Sequence, residues 1–325
     1  MTQKRILING FGRIGRAILR ALTTERAEPN MKIVGINDVA DPYELAYLFQ
    51  YDSVFGRHPL SVSTDGRRLF VGDQMFELFR ESDLSHCVLG TVDCVLECTG
   101  RAKDAAIAGQ GLSAGADRVL ISGPSPAAEL TLILGANAGQ LGGQKLISLG
   151  SCTTNAVAPI LSVLHDVIGL TSAHITTVHC YTASQPTTDT PNGGFERARA
   201  AAVSMVPTTT SASKLIGDVL PGLGFTPMVS SVRVPCPSVS CIDLVATPYR
   251  SVSAEVLNAM INRKISPILG TIADPVVSSD MVMRTESLIV ATLQTQCTPK
   301  MLRVFGWYDN EWAFAHRMID AVGMI

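Results

Sequence analysis

The sequence predicts an α/β protein of two domains: a doubly wound parallel sheet, then an α+β domain with a mostly antiparallel sheet. Three observations carry that expectation. Residues 5–147 alternate short apolar runs with helical patterns, which is how parallel strands and their crossover helices read. A glycine-rich turn, Gly10-Phe-Gly12-Arg-Ile-Gly15, separates the first run from the first helical stripe. Beyond residue 150 the texture changes to one long amphipathic helix followed by β-branched runs. The length agrees, since 325 residues exceed the ~250 at which single cores stop growing. The expected division is 1–150 and 151–311.

Taken in order, Arg5–Asn9 reads as a strand, and Ile14, Ala17, Ile18, Ala21 and Leu22 form the apolar stripe of a helix. Lys32–Ile36, Cys94–Leu96, Arg118–Ile121 and Lys145–Ile147 continue the strands, each ending near Gly, Ser or Thr. In open α/β sheets that end is where ligands bind. In the second half, Ala156, Val157, Ile160, Leu161, Leu164, Val167 and Ile168 mark the long helix, and Ile175–His179 a strand. Residues 185–194, rich in Pro, Thr and Gly, read as a long functional loop. Ser231–Pro235, Cys241–Ala246, Ser287–Thr292 and Leu302–Phe305 complete the second sheet.

Composition excludes several classes. There are 26 Lys+Arg against 28 Asp+Glu, a net charge of −2, and no basic run, so nothing marks a nucleic-acid or acidic-membrane partner. Charged residues are only 17% and the mean hydropathy is +0.26, which favours a large core and an oligomer that buries further apolar area. No apolar run reaches ~18 residues, so no membrane span is expected. Met1-Thr-Gln-Lys-Arg5 followed by Ile6-Leu-Ile8 lacks the pattern of a secretory leader. The eight cysteines show no paired metal spacing, so no metal site, free thiols and a cytoplasmic setting are expected.

The Gly10, Gly12 and Gly15 pattern follows a strand and opens a helix, the context of a Rossmann-type dinucleotide turn. The first glycine permits the tight turn, the second lets backbone approach a pyrophosphate, and the third lets helix and strand pack closely. The helix N-terminus adds free N–H groups and the positive end of its dipole. Asp38, just after the second strand, is placed to accept hydrogen bonds from the adenine ribose and to repel a 2′-phosphate, which favours NAD over NADP. FAD is the competing ligand of this motif.

Cys152, in Ser151-Cys-Thr-Thr-Asn155, opens the long helix. A thiol there is expected to have a lowered pKa and raised nucleophilicity. Cys87, Cys94, Cys98, Cys236, Cys241 and Cys297 read as small packing residues. His179 ends a strand and leads into the long loop; beside Cys152 it would hold the thiolate as an ion pair and serve as general base or acid. Spacing alone does not bring the two together.

Five strings, Ile8-Asn-Gly-Phe-Gly-Arg-Ile-Gly-Arg16, Ser151–Asn155, Val178-His-Cys-Tyr-Thr182, Val232-Arg-Val-Pro235 and Trp307-Tyr-Asp-Asn-Glu-Trp312, resemble the glyceraldehyde-3-phosphate dehydrogenase family in order and over essentially the whole chain. The resemblance implies a catalytic domain that begins at the cysteine, a C-terminal helix, 312–325, that returns to the first domain, and a homotetramer. It implies Cys152 as nucleophile and His179 as base, with an aldehyde oxidised through a cysteine thioester to an acyl phosphate. It assigns Asn9, Gly10, Phe11, Gly12, Arg13, Ile14, Gly15, Asp38, Arg80, Thr99, Ser122 and Asn310 to NAD. Ser151, Thr153 and Thr210 correspond to its inorganic-phosphate pocket, Thr182 and Arg233 to its substrate-phosphate pocket, and Arg197 lies near both. The substrates implied are glyceraldehyde 3-phosphate and phosphate.

The chain also departs from that family. Ala183-Ser184-Gln185 stands where Asn-Asp-Gln is usual, and Thr210-Ser-Ala-Ser-Lys214 where Thr-Gly-Ala-Ala-Lys is usual. Leu149-Gly150 replaces Asn-Ala, Thr190-Pro191 replaces Leu-Pro, and the last motif runs on through Ala313-Phe-Ala-His316. These changes keep erythrose-4-phosphate dehydrogenase as the alternative activity. A non-catalytic NAD-binding sensor is the alternative of a different class, disfavoured by the intact Cys152 and His179.

Overall fold

The computed structural model describes residues 3–87, 90–191 and 194–325. Of the loop expected at 185–194, Asn192 and Gly193 lie outside the described residues, as do Met1 and Thr2 of the N-terminal reading. The chain forms two compact units, residues 1–132, 139–151 and 314–325 in the first and 133–138 and 152–313 in the second.

The first unit is built on a nine-stranded sheet. Leu130–Thr131, Leu146–Ser148, Arg118–Ile121, Cys94–Glu97, Lys4–Asn9, Met31–Asn37 and Gln74–Phe79 lie side by side in that order, all parallel. Arg68–Val71 and Val62–Thr64 extend one edge as an antiparallel meander. Ile6–Asn9 and Cys94–Glu97 are buried throughout, as strands covered on both faces must be. The carboxylate of Glu97 closes the second of these runs. The helix Arg13–Thr24 buries Ala17, Ile18 and Ala21 of the stripe anticipated from its periodicity, leaves Ile14 and Leu22 of that stripe half-buried, and buries Leu19 as well. Pro42–Gln50, not foreseen, starts where the Asp41 carboxylate accepts from the Tyr43 N–H at 2.9 Å and Pro42 occupies the first turn. Phe314–Ile325 belongs to this unit: Lys4 Nζ donates to the Val322 carbonyl at 2.8 Å, and Arg26 pairs with Asp320 at 2.7 Å.

The second unit is an α+β body whose sheet runs Val206–Thr208, Met228–Val234, Leu170–Cys180, Ser240–Pro248, Leu302–Tyr308, Leu288–Ala291 and Leu269–Ile272. All neighbours are antiparallel except two pairs, Leu170–Cys180 with Met228–Val234 and Leu269–Ile272 with Leu288–Ala291. One of these exceptions builds the site. The parallel register sets Val178 opposite Val232, His179 opposite Arg233 and Cys180 opposite Val234. Helix Cys152–Ile168 packs Ala156, Val157, Ile160, Leu161 and Leu164 against Leu170, Ile175, Ile242, Leu244 and Val304 of that sheet. Each such fully buried aliphatic side chain contributes about 1.5–3 kcal/mol, so the helix start is held firmly against the strand ends.

Candidate active site

In the first unit the turn after Lys4–Asn9 behaves as its glycines require. Gly10 has φ +94°, and a Cβ there would lie 2.6 Å from the Thr99 nitrogen. A Cβ on Gly15 would lie 2.2 Å from the Gly10 carbonyl oxygen, whereas one on Gly12 would meet no protein atom within 4 Å. Gly12 therefore leaves a backbone opening at the helix start that a phosphate can enter. A cavity of about 220 Å³ at the strand ends is lined by Asn9, Gly10, Gly12, Asp38 and Thr99 from the expected set, together with Asn37, Cys98 and Arg101. Asp38 accepts from the Phe11 N–H at 2.7 Å and the Ala40 N–H at 3.0 Å, so its carboxylate shapes the turn as well as facing the cavity.

Other expected cofactor residues do not line that cavity. Phe11 is fully buried against Phe49 with ring centroids 5.4 Å apart, and Arg13 pairs with Asp52 and stacks on Phe55. Arg80 donates to the Val39 carbonyl at 3.3 Å. Ile14 and Gly15 turn into the helix, and the Ser122 hydroxyl hydrogen-bonds the Cys98 sulfur. Sequence reading missed Glu97. Buried at 2% exposure, its carboxylate accepts from Asn9 Nδ2, the Thr99 N–H and the Thr99 hydroxyl. Asn37 Nδ2 in turn donates to Asn9 Oδ1 at 2.7 Å. Asn9 is thus a strut between strand ends. The available signal was a carboxylate at the end of an otherwise apolar buried strand, where a charge persists only if hydrogen-bonded.

In the second unit Cys152 is the first residue of its helix, and its Sγ lies 3.4 Å from His179 Nε2. The pair that spacing could not join is joined by the fold. The electrostatics differ from expectation, however. Burial is the largest influence on the Cys152 thiol and pushes it up, outweighing Arg233 and the Thr153 and Cys152 N–H groups, which pull it down. Burial, then the neighbouring Arg233, lowers His179 to about 4. Both directions run against the thiolate–imidazolium pair anticipated from the helix N-terminus, because burial disfavours the charged form of each group. A helix end acts through a few nearby N–H groups, whereas desolvation sums over everything packed around the sulfur.

Around the pair, Arg233 Nη1 lies 2.6 Å from His179 Nδ1 and donates to the Cys180 carbonyl at 2.8 Å. The Thr153 hydroxyl is buried against the Tyr308 hydroxyl at 3.1 Å, with the Thr177 hydroxyl 2.8 Å from the same oxygen, and Thr153 turns both its N–H and its hydroxyl to the Cys152 thiol. Arg197 donates to the hydroxyls of Thr208 and Thr209, and the Thr210 hydroxyl accepts from the Ala212 N–H at 3.2 Å. The Thr182 and Ser184 hydroxyls lie 3.0 Å apart, and half-buried Ser151 directly precedes the nucleophile position. Asn310 Oδ1 accepts from the Cys180 thiol at 3.1 Å and the Ser240 hydroxyl at 3.4 Å, so the donors this buried side chain can still offer are its amide N–H groups. All eight cysteines are free thiols. Among the described residues no group of three or more His, Cys, Asp or Glu could hold a metal, and no helix is long and apolar enough to cross a membrane.

Comparison with known proteins now decides the family. Residues 4–105 match the model of the glyceraldehyde 3-phosphate dehydrogenase NAD binding domain, and residues 151–310 match that of the C-terminal domain. The chain belongs to the glyceraldehyde-3-phosphate dehydrogenase family. It is similar to glyceraldehyde-3-phosphate dehydrogenase of Xanthobacter flavus, 42% identical over 98% of both chains. The enzyme of Cereibacter sphaeroides is 40% identical over 98% of both, and glyceraldehyde-3-phosphate dehydrogenase 1 of Streptomyces arenae 39% over 99% and 98%. NAD is the cofactor, and the glycine turn, open Gly12 and Asp38 fit it.

Several departures from the glyceraldehyde-3-phosphate dehydrogenase pattern have a structural account. Gly150 has φ +61° between the strand and the helix, a conformation that an alanine adopts only with strain. Ser211 has φ −81°, so a side chain there needs no special backbone. Ala183 and Ser184 are exposed. His316 is buried in the first unit and lowered to about 4 by burial, then by Arg26 and Arg317. His316 and His179 share a consequence for stability. Both take up protons in the unfolded chain near pH 6.5 and in the folded chain only near 4. Stability is therefore full above 6.5 and is lost as pH falls towards 4. Thermal unfolding midpoints should drop across that window, and His316→Gln should flatten part of the drop; an unchanged slope would remove His316 as a contributor.

Proposed function

We propose that this chain is a phosphorylating, NAD-dependent glyceraldehyde-3-phosphate dehydrogenase acting through a Cys152 thioester. The observation that carries the mechanism is the 3.4 Å approach of Cys152 Sγ to His179 Nε2. His179 Nε2 takes the thiol proton, and the thiolate adds to the aldehyde carbon, giving a hemithioacetal. The Cys152 N–H and the imidazolium hold its oxygen. NAD, when bound, supplies the acceptor for the hydride that converts the hemithioacetal to a thioester. An oxygen of inorganic phosphate then attacks the thioester carbon, and the thiolate leaves with the acyl phosphate formed. His179 returns the proton to the sulfur or holds it for the next turnover.

Two anions must be held, and hydroxyls and guanidinium groups suit that task; Arg233 and Thr153 are the ones that act directly on the thiol. Arg233 and Thr182 are assigned to the substrate phosphate, and Ser151, Thr153 and Thr210 to inorganic phosphate, with Arg197 between. Asn310 is assigned to the nicotinamide carboxamide, which its amide N–H groups suit as donors. The name shared by the relatives at about this identity favours glyceraldehyde 3-phosphate over erythrose 4-phosphate. Crossing both aldehydes with NAD or NADP, and with or without phosphate, tests this directly. Phosphate-independent turnover with preference for erythrose 4-phosphate would overturn the assignment.

Asp38→Ala should raise the Kd for NAD about tenfold, the scale of a lost hydrogen bond to a charged acceptor, with a smaller change for NADP. Equal loss for both would mean that the Phe11 turn had collapsed and that Asp38 does not read the ribose. We further assign a cytoplasmic homotetramer. Phe195, Val203 and Met205 are exposed at 95%, 79% and 74%, apolar surface that subunit contact would cover. Light scattering should return a mass several times the 34.6 kDa of one chain.

A further inference from the structure

Cys180 is neither the proposed nucleophile nor one of the six thiols read as packing residues, and its buried side chain lies between two residues of the site. Its Sγ lies 3.1 Å from Asn310 Oδ1 and 3.7 Å from His179 Nδ1, and the nearer acceptor takes the single thiol proton. Burial pushes this thiol up to about 12, so it keeps that proton and stays a donor at neutral pH. The Ser240 hydroxyl converges on the same amide oxygen. It accepts from the Cys180 N–H at 3.2 Å and donates its own proton to Asn310 Oδ1 at 3.4 Å. Val239, just before it, has φ +62°, a strained backbone for a β-branched residue, held there by burial. All of these residues belong to the second unit.

The backbone around Asn310 is pinned independently. The Asp309 carboxylate, 1% exposed, accepts from the N–H groups of Met283 at 2.9 Å, Glu311 at 3.0 Å and Trp312 at 2.9 Å. What remains to be set is which way the amide faces. An asparagine amide has an acceptor edge and a donor edge of nearly the same shape, and turning it over exchanges them. Turned over, Nδ2 would meet a thiol, which is a weak acceptor, and a hydroxyl that already accepts from the Cys180 N–H. With both donors on Oδ1, the amide has only N–H left to offer. The matching group of a carboxamide is its carbonyl oxygen.

We propose that Cys180, together with Ser240, is a positioning residue that fixes the Asn310 amide in one orientation, so that the nicotinamide carboxamide is read through its carbonyl oxygen. The inference rests on the assignment of Asn310 to that carboxamide and adds what orients it. Alanine at 180 would leave Ser240 alone on the oxygen, at the longer of the two distances, and the amide could turn. Serine at 180 would supply a hydroxyl donor in place of the thiol.

Calorimetry on the full-length protein tests this with two ligands: NAD, and ADP-ribose, which keeps the adenosine, pyrophosphate and ribose but has no nicotinamide. Cys180→Ala should raise the Kd for NAD about three- to tenfold, the scale of one neutral hydrogen bond, and leave that for ADP-ribose unchanged. Cys180→Ser should recover most of the NAD affinity. In an Asn310→Ala background, Cys180→Ala should cost no further NAD affinity, because the thiol acts only through the amide. An unchanged NAD Kd in Cys180→Ala, a parallel loss for ADP-ribose, no recovery with serine, or additive losses in the double variant each overturns the clamp. The double variant separates the clamp from damage to packing at 180, since damage would add to the loss of Asn310. The underlying assignment fails separately, and the clamp with it, if Asn310→Ala binds NAD as the wild type does.

Discussion

Cys152→Ser oxidises aldehyde at least about 10⁴-fold more slowly than the wild type while binding NAD with an unchanged Kd, the pattern expected when a covalent nucleophile is removed from an intact fold. The hydroxyl is nearly isosteric, so the helix start and its contact with His179 persist. What changes is the proton. A thiol raised by burial still ionises within reach of an imidazole once that imidazole can accept, whereas a serine hydroxyl beside a base lowered to about 4 does not. Stopped-flow measurement of NADH formation and calorimetry of NAD binding separate the two quantities. Full activity in the variant would end the covalent mechanism, and lost NAD binding would show that the substitution had damaged the fold.

Gly15→Ala and Gly12→Ala form the second pair of expectations, and they should differ in kind. A Cβ on Gly15 meets the Gly10 carbonyl oxygen at 2.2 Å and Ile8 Cγ2 at 3.2 Å. The helix Arg13–Thr24 must then shift off the turn, with a loss of about 1–3 kcal/mol in stability and of NAD affinity together. A Cβ on Gly12 meets nothing within 4 Å. That variant should keep the wild-type unfolding midpoint and lose NAD affinity alone, by about a hundredfold if the methyl occupies the place of a phosphate hydrogen-bonded to the backbone. Wild-type affinity in Gly12→Ala would mean that no phosphate comes close to that backbone.

The contrast between these glycines shows how much of the site was readable beforehand. The strand, the turn and the helix were local patterns: Lys4–Asn9 and Arg13–Thr24 follow from residue spacing, and Gly10 from the turn it must make. The motif already assigned Gly12 to the ligand and Gly15 to packing, and the structure added what each faces: open space at Gly12, and the Gly10 carbonyl with Ile8 at Gly15. Glu97 was missed because its role depends on Asn9, from another strand end 88 residues away, whereas its second partner, Thr99, is local.

By itself, the order of residues determined an α/β chain whose first half carries a strand–glycine–helix turn and whose second half opens with Cys152 at the start of a helix. Those properties are legible because periodicity and backbone freedom are set within a few neighbouring residues. Only the tertiary structure decided that His179 stands 3.4 Å from Cys152 Sγ, that Arg233 sits on the far nitrogen of that imidazole, and that burial pushes the thiol up. Each depends on a strand register or on desolvation. Both are sums over residues far apart in the chain, and they exist only once the chain has folded.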